Sequence, residues 1–203
     1  MTSYRPIADM WFLARAKLKG GKKFYGAYLG GFPERARALL GCNINDPVLH
    51  VCGGMSRDYL YKRGFGPNDK TLDLDPACNP DFLQDARDPF PFQNITYSVD
   101  PLSSKDIVNI SLHPIKHCWS GILIDPPYTE EDAAHYVPGV EKYPPPAVLV
   151  RNSFEVLPIG GRCGIIHFFP PTPPKNGMFV ACVGIISGFN NRIRVYSVYE
   201  RLE

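Results

Sequence analysis

The residues best equipped for chemistry lie in the segment GILIDPPYTEED, 121–132. Four apolar positions lead to Asp125, then Pro126, Pro127 and Tyr128. A buried strand of that kind delivers its last side chain to the carboxyl end of a sheet, where open α/β sheets bind ligands. The two prolines fix the backbone and remove two amide donors, so the local carbonyls remain free to accept. Carboxylate, carbonyl and aromatic face together suit a planar group bearing an NH₂. Two acceptors take its hydrogens while the ring stacks on it. The competing reading of Asp-Pro-Pro is an ordinary turn.

Three further clusters could complete a site. In VLHVCGGMSRDYL, 48–60, a buried strand runs into Cys52, Gly53 and Gly54, where glycine permits a sharp turn and a close ligand approach. It lacks the third glycine of the dinucleotide fingerprint, so a ligand loop and a plain tight turn both remain open. In TLDLDP, 71–76, an acid ends the next strand. Asp73, or less well Asp75, could accept both hydroxyls of a ribose, the alternative being an acid that caps the turn before Pro76. In QDARDPFPF, 84–92, Asp85 could accept from the exocyclic amine of a purine, with Phe90 or Phe92 lining the pocket. A surface turn with core aromatics reads equally well.

These clusters must be carried by elements, and the hydropathy pattern supplies them. Apolar runs predict strands over 47–51, 70–75, 120–125, 161–169, 178–187 and 192–200. Helices are predicted over 33–40, 55–63, 130–137 and 146–157, the first with proline at its opening position. This alternation is an α/β signal with one mostly parallel sheet. The last two strands meet across GFNN, 188–191, which suits a reversal and predicts an antiparallel terminal hairpin. No internal repeat or domain boundary interrupts the pattern.

Composition narrows the class. With 203 residues, 44% hydrophobic and 21% charged, the chain can bury one full core without disulfides or structural metal. No apolar run is long enough to span a membrane, and no signal peptide is recognisable. The six cysteines form no CxxC pair and read as free, mostly buried thiols of a cytoplasmic protein. A zinc site is poorly supported: His113, His117 and Cys118 cluster, but no second cluster follows. No P-loop or GxSxG motif is present. The net charge of +2 conceals a division: residues 1–63 hold eleven basic against four acidic side chains, and the remainder eleven against sixteen. A basic N-terminal third could steer a polyanion to one face, or could be a solvated surface.

DPPY, Asp125 to Tyr128, resembles the catalytic motif of the S-adenosylmethionine-dependent amino-methyltransferases that modify adenine N6 and, less often in this form, cytosine N4 in DNA. HVCGG resembles that family's cofactor loop, TLDLDP its ribose-binding acid, and QDARD, with Asp85 and Ala86, its adenine-contacting strand end. The segment 22–40 is similar to the methionine-binding segment found in one circular order of these enzymes, which assigns Tyr25 and Gly26 to the cofactor. The resemblance implies a Rossmann-like class I methyltransferase fold. Its mostly parallel seven-stranded sheet ends in an antiparallel hairpin and carries helices on both faces. It divides the chain into a basic segment, 1–45, completing the cofactor site, and a catalytic domain, 46–203. It implies methyl transfer to the amino nitrogen of a base, adenine in DNA first, with Tyr128 stacking on it. Only about thirty residues separate Asp88 from Ser120, which leaves no room for a target-recognition module. Sequence selectivity would then come from short loops or a specificity subunit. Action on RNA, a protein amide or a small molecule, and a non-catalytic subunit, remain the alternatives.

Overall fold

The computed structural model describes residues 5–15, 20, 28–58, 64–92, 119–136, 143–187 and 192–203. Its strands are β1 (Ile7–Leu13), β2 (Val48–Val51), β3 (Lys70–Asp73), β4 (Phe82–Leu83), β5 (Gly121–Ile124), β6 (Arg162–His167), β7 (Gly177–Ser187) and β8 (Ile193–Arg201). The helices are α1 (Phe32–Leu40), α2 (Glu130–Tyr136) and α3 (Pro146–Val156). All strands join one sheet in the order β1-β7-β8-β6-β5-β2-β3-β4. Only β8 runs against the others, antiparallel to both β6 and β7.

Seven strands were expected and eight are found, because β1 pairs in parallel with β7 at the edge. Its sequence, IADMWFL, buries Trp11 and Leu13 but leaves Ile7, Met10 and Phe12 exposed. With apolar side chains on both faces, the period of two that marks a half-buried strand is erased. A second difference follows the glycines. A helix was expected over 55–63, but the described part is a 3-10 turn, Ser56–Asp58. Its amides bond three residues back, Ser56 N–H to Gly53 O at 3.2 Å and Asp58 N–H to Met55 O at 2.9 Å. The expected reversal at 188–191 lies outside the described residues.

Helices cover both faces of the sheet's middle, and the alternation of strand side chains shows which face meets which helix. Val48, Leu123, Ile166, Tyr196 and Val198 pack with Phe32, Ala36 and Leu40 of α1. Their neighbours Leu49, Val51, Ile122, Ile124, Ile165 and Tyr199 pack with Leu149, Val150 and Phe154 of α3. Gly164 is required on the α1 side. A Cβ there would sit 2.1 Å from the Tyr196 hydroxyl, which crosses over it to donate to Ala36 O at 3.3 Å.

A buried charge network locks α1 to the sheet. Arg37 ion-pairs with Asp69, whose carboxylate also accepts from Val48 N–H at 3.1 Å and Gly66 N–H at 2.7 Å and meets His50 Nε2 at 3.1 Å. Burial opposes the ionised form of Asp69, but the hydrogen bonds and charges of His50 and Arg37 outweigh it and hold the carboxyl below its usual range. Among the described residues no helix is long and apolar enough to cross a membrane. The described cysteines are free, with Cys42 and Cys163 buried and Cys52, Cys78 and Cys182 half-buried; Cys118 lies outside the described residues.

Candidate active site

The strand register levels the carboxyl ends of the central strands. Val51 of β2 pairs with Leu72 of β3 on one side and Ile124 of β5 on the other. The next residues, Cys52, Asp73 and Asp125, therefore leave the sheet at one height, each about 4.8 Å from the neighbouring strand. β2 and β5 are also where the strand order reverses, since β3 and β4 extend one way and β6 the other. Ligands of open α/β sheets bind at such a crevice.

Backbone bonds fix this rim. Asp125 N–H donates to Val51 O at 3.1 Å and Cys52 N–H to Leu72 O at 2.8 Å. The chain then turns with Cys52 at φ 53° and Gly54 at φ 51°, the left-handed region that glycine adopts readily. Gly53 is demanded by space: a Cβ would lie 2.9 Å from the His50 Cβ. Gly54 N–H donates to Asp73 Oδ2 at 2.9 Å, and Asp75 N–H to Asp73 Oδ1 at 3.0 Å. Asp73 is thus the acid facing the glycine turn. Asp75 instead caps the following turn, accepting from Ala77 N–H at 2.9 Å.

Asp85 follows β4 and is gripped by Arg87, whose Nε lies 3.0 and 2.9 Å from its two oxygens. That hydrogen bond and charge hold the Asp85 carboxyl below its usual range. Ala86 is buried, and Asn152 of α3 donates to the carbonyls of Ala86, Arg87 and Asp88 at 3.0–3.3 Å, which pins this loop over the sheet end. Phe90 is a core side chain and Phe92 an exposed one, so the core-aromatic reading holds for Phe90. Tyr25 and Gly26 lie outside the described residues.

At the end of β5 the Tyr128 hydroxyl donates to Asp125 Oδ1 at 2.8 Å. Burial pushes the Asp125 carboxyl up to about 6, against the opposing pull of the Arg194 charge and the Tyr128 hydrogen bond. Burial likewise raises Asp73, and it raises the Cys52 thiol with help from the negative charges of Asp73, Asp125 and Asp85. Asp73 and Asp125 thus stand at the tips of the two strands that flank the glycine turn. Among the described residues no group of His, Cys, Asp and Glu could hold a metal ion, and the cluster at 113–118 lies outside them.

Sequence reasoning overlooked the aromatic and basic wall behind Tyr128. The Tyr128 ring meets Phe168 at 4.8 Å and His167 edge-on at 5.6 Å. Arg194 lies over it, with its guanidinium carbon 5.2 Å from the ring centre. Arg192 similarly lies 5.9 Å from the Phe168 ring centre and pairs with Asp132 at 3.8 Å. The available signal was the spacing of two arginines at the start of a reversed strand, which puts both on one face at the rim where the parallel strands end. Within the basic N-terminal third, Arg37 is buried and Arg57 pairs with Asp81, so both are engaged internally.

With this geometry established, the fold can be compared with known proteins. The chain superposes on TrmN from Thermus thermophilus with a TM-score of 0.55 and 16% identity, covering 87% of this chain and 50% of that one. It thus spans half the length of the TrmN chain. The Escherichia coli protein yhhF, assigned as a methyltransferase, matches with a TM-score of 0.46 and 12% identity over 90% of this chain and 93% of its own. No family model and no curated protein matches the sequence. The likeness to TrmN is one of fold: a mixed α/β, Rossmann-like sheet, mostly parallel with one reversed strand.

Proposed function

We propose that the protein transfers a methyl group from S-adenosylmethionine to the exocyclic amino nitrogen of a nucleic-acid base, with adenine N6 in DNA the first candidate. The observation that carries this reading is the register that sets the Asp125–Tyr128 tip one strand away from the Cys52–Gly54 turn, with Asp73 beyond it. The crevice fits the cofactor's chemistry. A ribose needs a paired acceptor, for which Asp73 stands ready, and a cationic sulfonium is favoured beside the Asp73 and Asp125 carboxylates. Glycine at 53 is what lets the turn fold back tightly over His50, where a Cβ would lie 2.9 Å from the His50 Cβ. S-adenosylmethionine held there supplies a methyl group on positively charged sulfur.

The chain's own residues supply alignment. Tyr128 holds Asp125 Oδ1, which leaves Oδ2 to accept one hydrogen of the amino group while the Pro126 carbonyl accepts the other. Both bonds draw the nitrogen lone pair out of conjugation with the ring and fix its direction. Fixed dipoles and orientation provide the acceleration. The surplus proton on the methylated nitrogen passes to the Asp125 carboxylate, whose raised affinity for a proton suits that task. The base reaches Tyr128 from single-stranded nucleic acid or after extrusion from a duplex. Arg194 gives the rim a positive charge, as a polyanionic substrate requires.

The test is incubation with methyl-labelled S-adenosylmethionine and a panel of duplex DNA, single-stranded DNA and RNA, followed by nucleoside analysis. Label in N6-methyladenine from DNA is expected, and Asp125→Ala should remove it. Label confined to RNA would move the substrate. Label in no nucleic acid, with wild-type protein that binds the cofactor, would overturn the reading.

A further inference from the structure

Arg194 is a cation for which neither the motif nor the sheet accounts. β8 runs against the parallel strands, so its first residues emerge at the rim where those strands end. There Arg194 pairs in register with Ile185, on the sheet face that also buries Trp11 and Phe32. Five guanidinium groups of the described residues pair with carboxylates: Arg37 with Asp69, Arg57 with Asp81, Arg87 with Asp85, Arg162 with Glu200 and Arg192 with Asp132. Arg194 has no ion pair among the described residues, and its buried Nε has no hydrogen-bond partner there. It lies over the Tyr128 ring at 5.2 Å and reaches Asp125 only as a longer-range charge.

A half-buried guanidinium that no carboxylate of the described residues neutralises is suited to a multi-oxygen anion such as a phosphate. The geometry points to Arg194 as a substrate-binding residue that takes a backbone phosphate flanking the base presented to Asp125. Tyr128 lies between them, so the base is held on the motif's aromatic and the backbone on the arginine. This rests on the proposed nucleic-acid substrate and names the contact that would anchor it. The opposing account makes Arg194 a prop for the Tyr128 ring, with no part in binding an anion.

Each phosphate contact to single-stranded nucleic acid contributes about 0.7 to the salt dependence of binding. The full-length wild-type protein, Arg194→Gln and Arg194→Lys are titrated with a fluorescent adenine-containing single-stranded oligonucleotide between 50 and 200 mM KCl. Over that fourfold range the wild type should lose about 2.5-fold more affinity than Arg194→Gln, and Arg194→Lys should keep the wild-type slope. Calorimetric binding of S-adenosylmethionine checks that each variant is folded. Should Arg194→Gln not fold, the wild type is titrated with oligonucleotides bearing one uncharged methylphosphonate at either phosphate flanking the target adenine. One of the two should lower the slope equally. Equal slopes for wild type and Arg194→Gln, or no effect of either methylphosphonate, would overturn the phosphate contact while leaving methyl transfer intact. A wild type that neither binds nor methylates any nucleic acid would overturn the functional reading itself, and the inference with it.

Discussion

Replacing Asp125 by asparagine separates what this carboxylate does for the site from what it costs the fold. Asparagine keeps the shape and an acceptor for the Tyr128 hydroxyl, which lies 2.8 Å away, and removes the buried charge. The folded carboxyl is raised from 3.8 to about 6. A raised carboxyl favours folding fully below its unfolded value, and that contribution is lost as pH climbs through about 6. At pH 8 the wild type carries a penalty of about 3 kcal/mol that the variant escapes, and at pH 5 about half of that. For a domain of this size the gain at pH 8 amounts to roughly 6–12 °C in melting temperature. Thermal unfolding of both proteins across pH 5–8 provides the assay, alongside labelled methyl transfer. The variant should be more stable, increasingly so toward high pH, and inactive. A stability difference that ignores pH, or a variant less stable than wild type at pH 8, would refute the burial argument. Retained turnover would refute the role in transfer.

Turnover of the wild type at saturating cofactor should fall as pH drops through about 6, where protonation takes Asp125 out of its acceptor role; a pH–rate profile flat between pH 5 and 8 would contradict this. Asp73→Ala, which frees the Gly54 and Asp75 amides, should weaken S-adenosylmethionine binding about tenfold or more in calorimetry, with unchanged affinity counting against a ribose contact. Gly53→Ala forces a Cβ to within 2.9 Å of His50 and should cost about 1–3 kcal/mol in urea unfolding, together with cofactor affinity. Asp69→Ala strands buried Arg37 and should destabilise by about 3–5 kcal/mol while sitting outside the crevice.

The central strands and the helices α1, α2 and α3 were legible because their apolar runs are bounded by glycine, proline or acid, and the observed ends fall within a few residues of the expected ones. The motif's place was legible for the same reason: Ile124 ends a strand buried along its whole length, so Asp125 had to emerge at its tip. The sequence pattern favoured Asp73 over Asp75 but not the amides that separate them, Gly54 N–H on Asp73 and Ala77 N–H on Asp75. β4 was invisible at two residues, where pattern carries no information. The role of β1 was hidden because exposed Met10 and Phe12 mimic buried ones in sequence. Arg194 escaped notice although the terminal hairpin was legible, because its place over the Tyr128 ring depends on how far β8 runs past β6 at the rim, which local pattern does not encode.

The edge strand has a consequence for how the polypeptide is made. Ile7 of β1 lies against Ala181 of β7, so β1 finds its partner only after more than 170 further residues have been made. Pairings so distant along the chain slow folding, and the unmatched strand waits meanwhile without the burial that Trp11 and Leu13 have in the fold. Nascent chains halted before β7 should therefore be the most dependent on chaperones, and their release should coincide with emergence of β7 and β8.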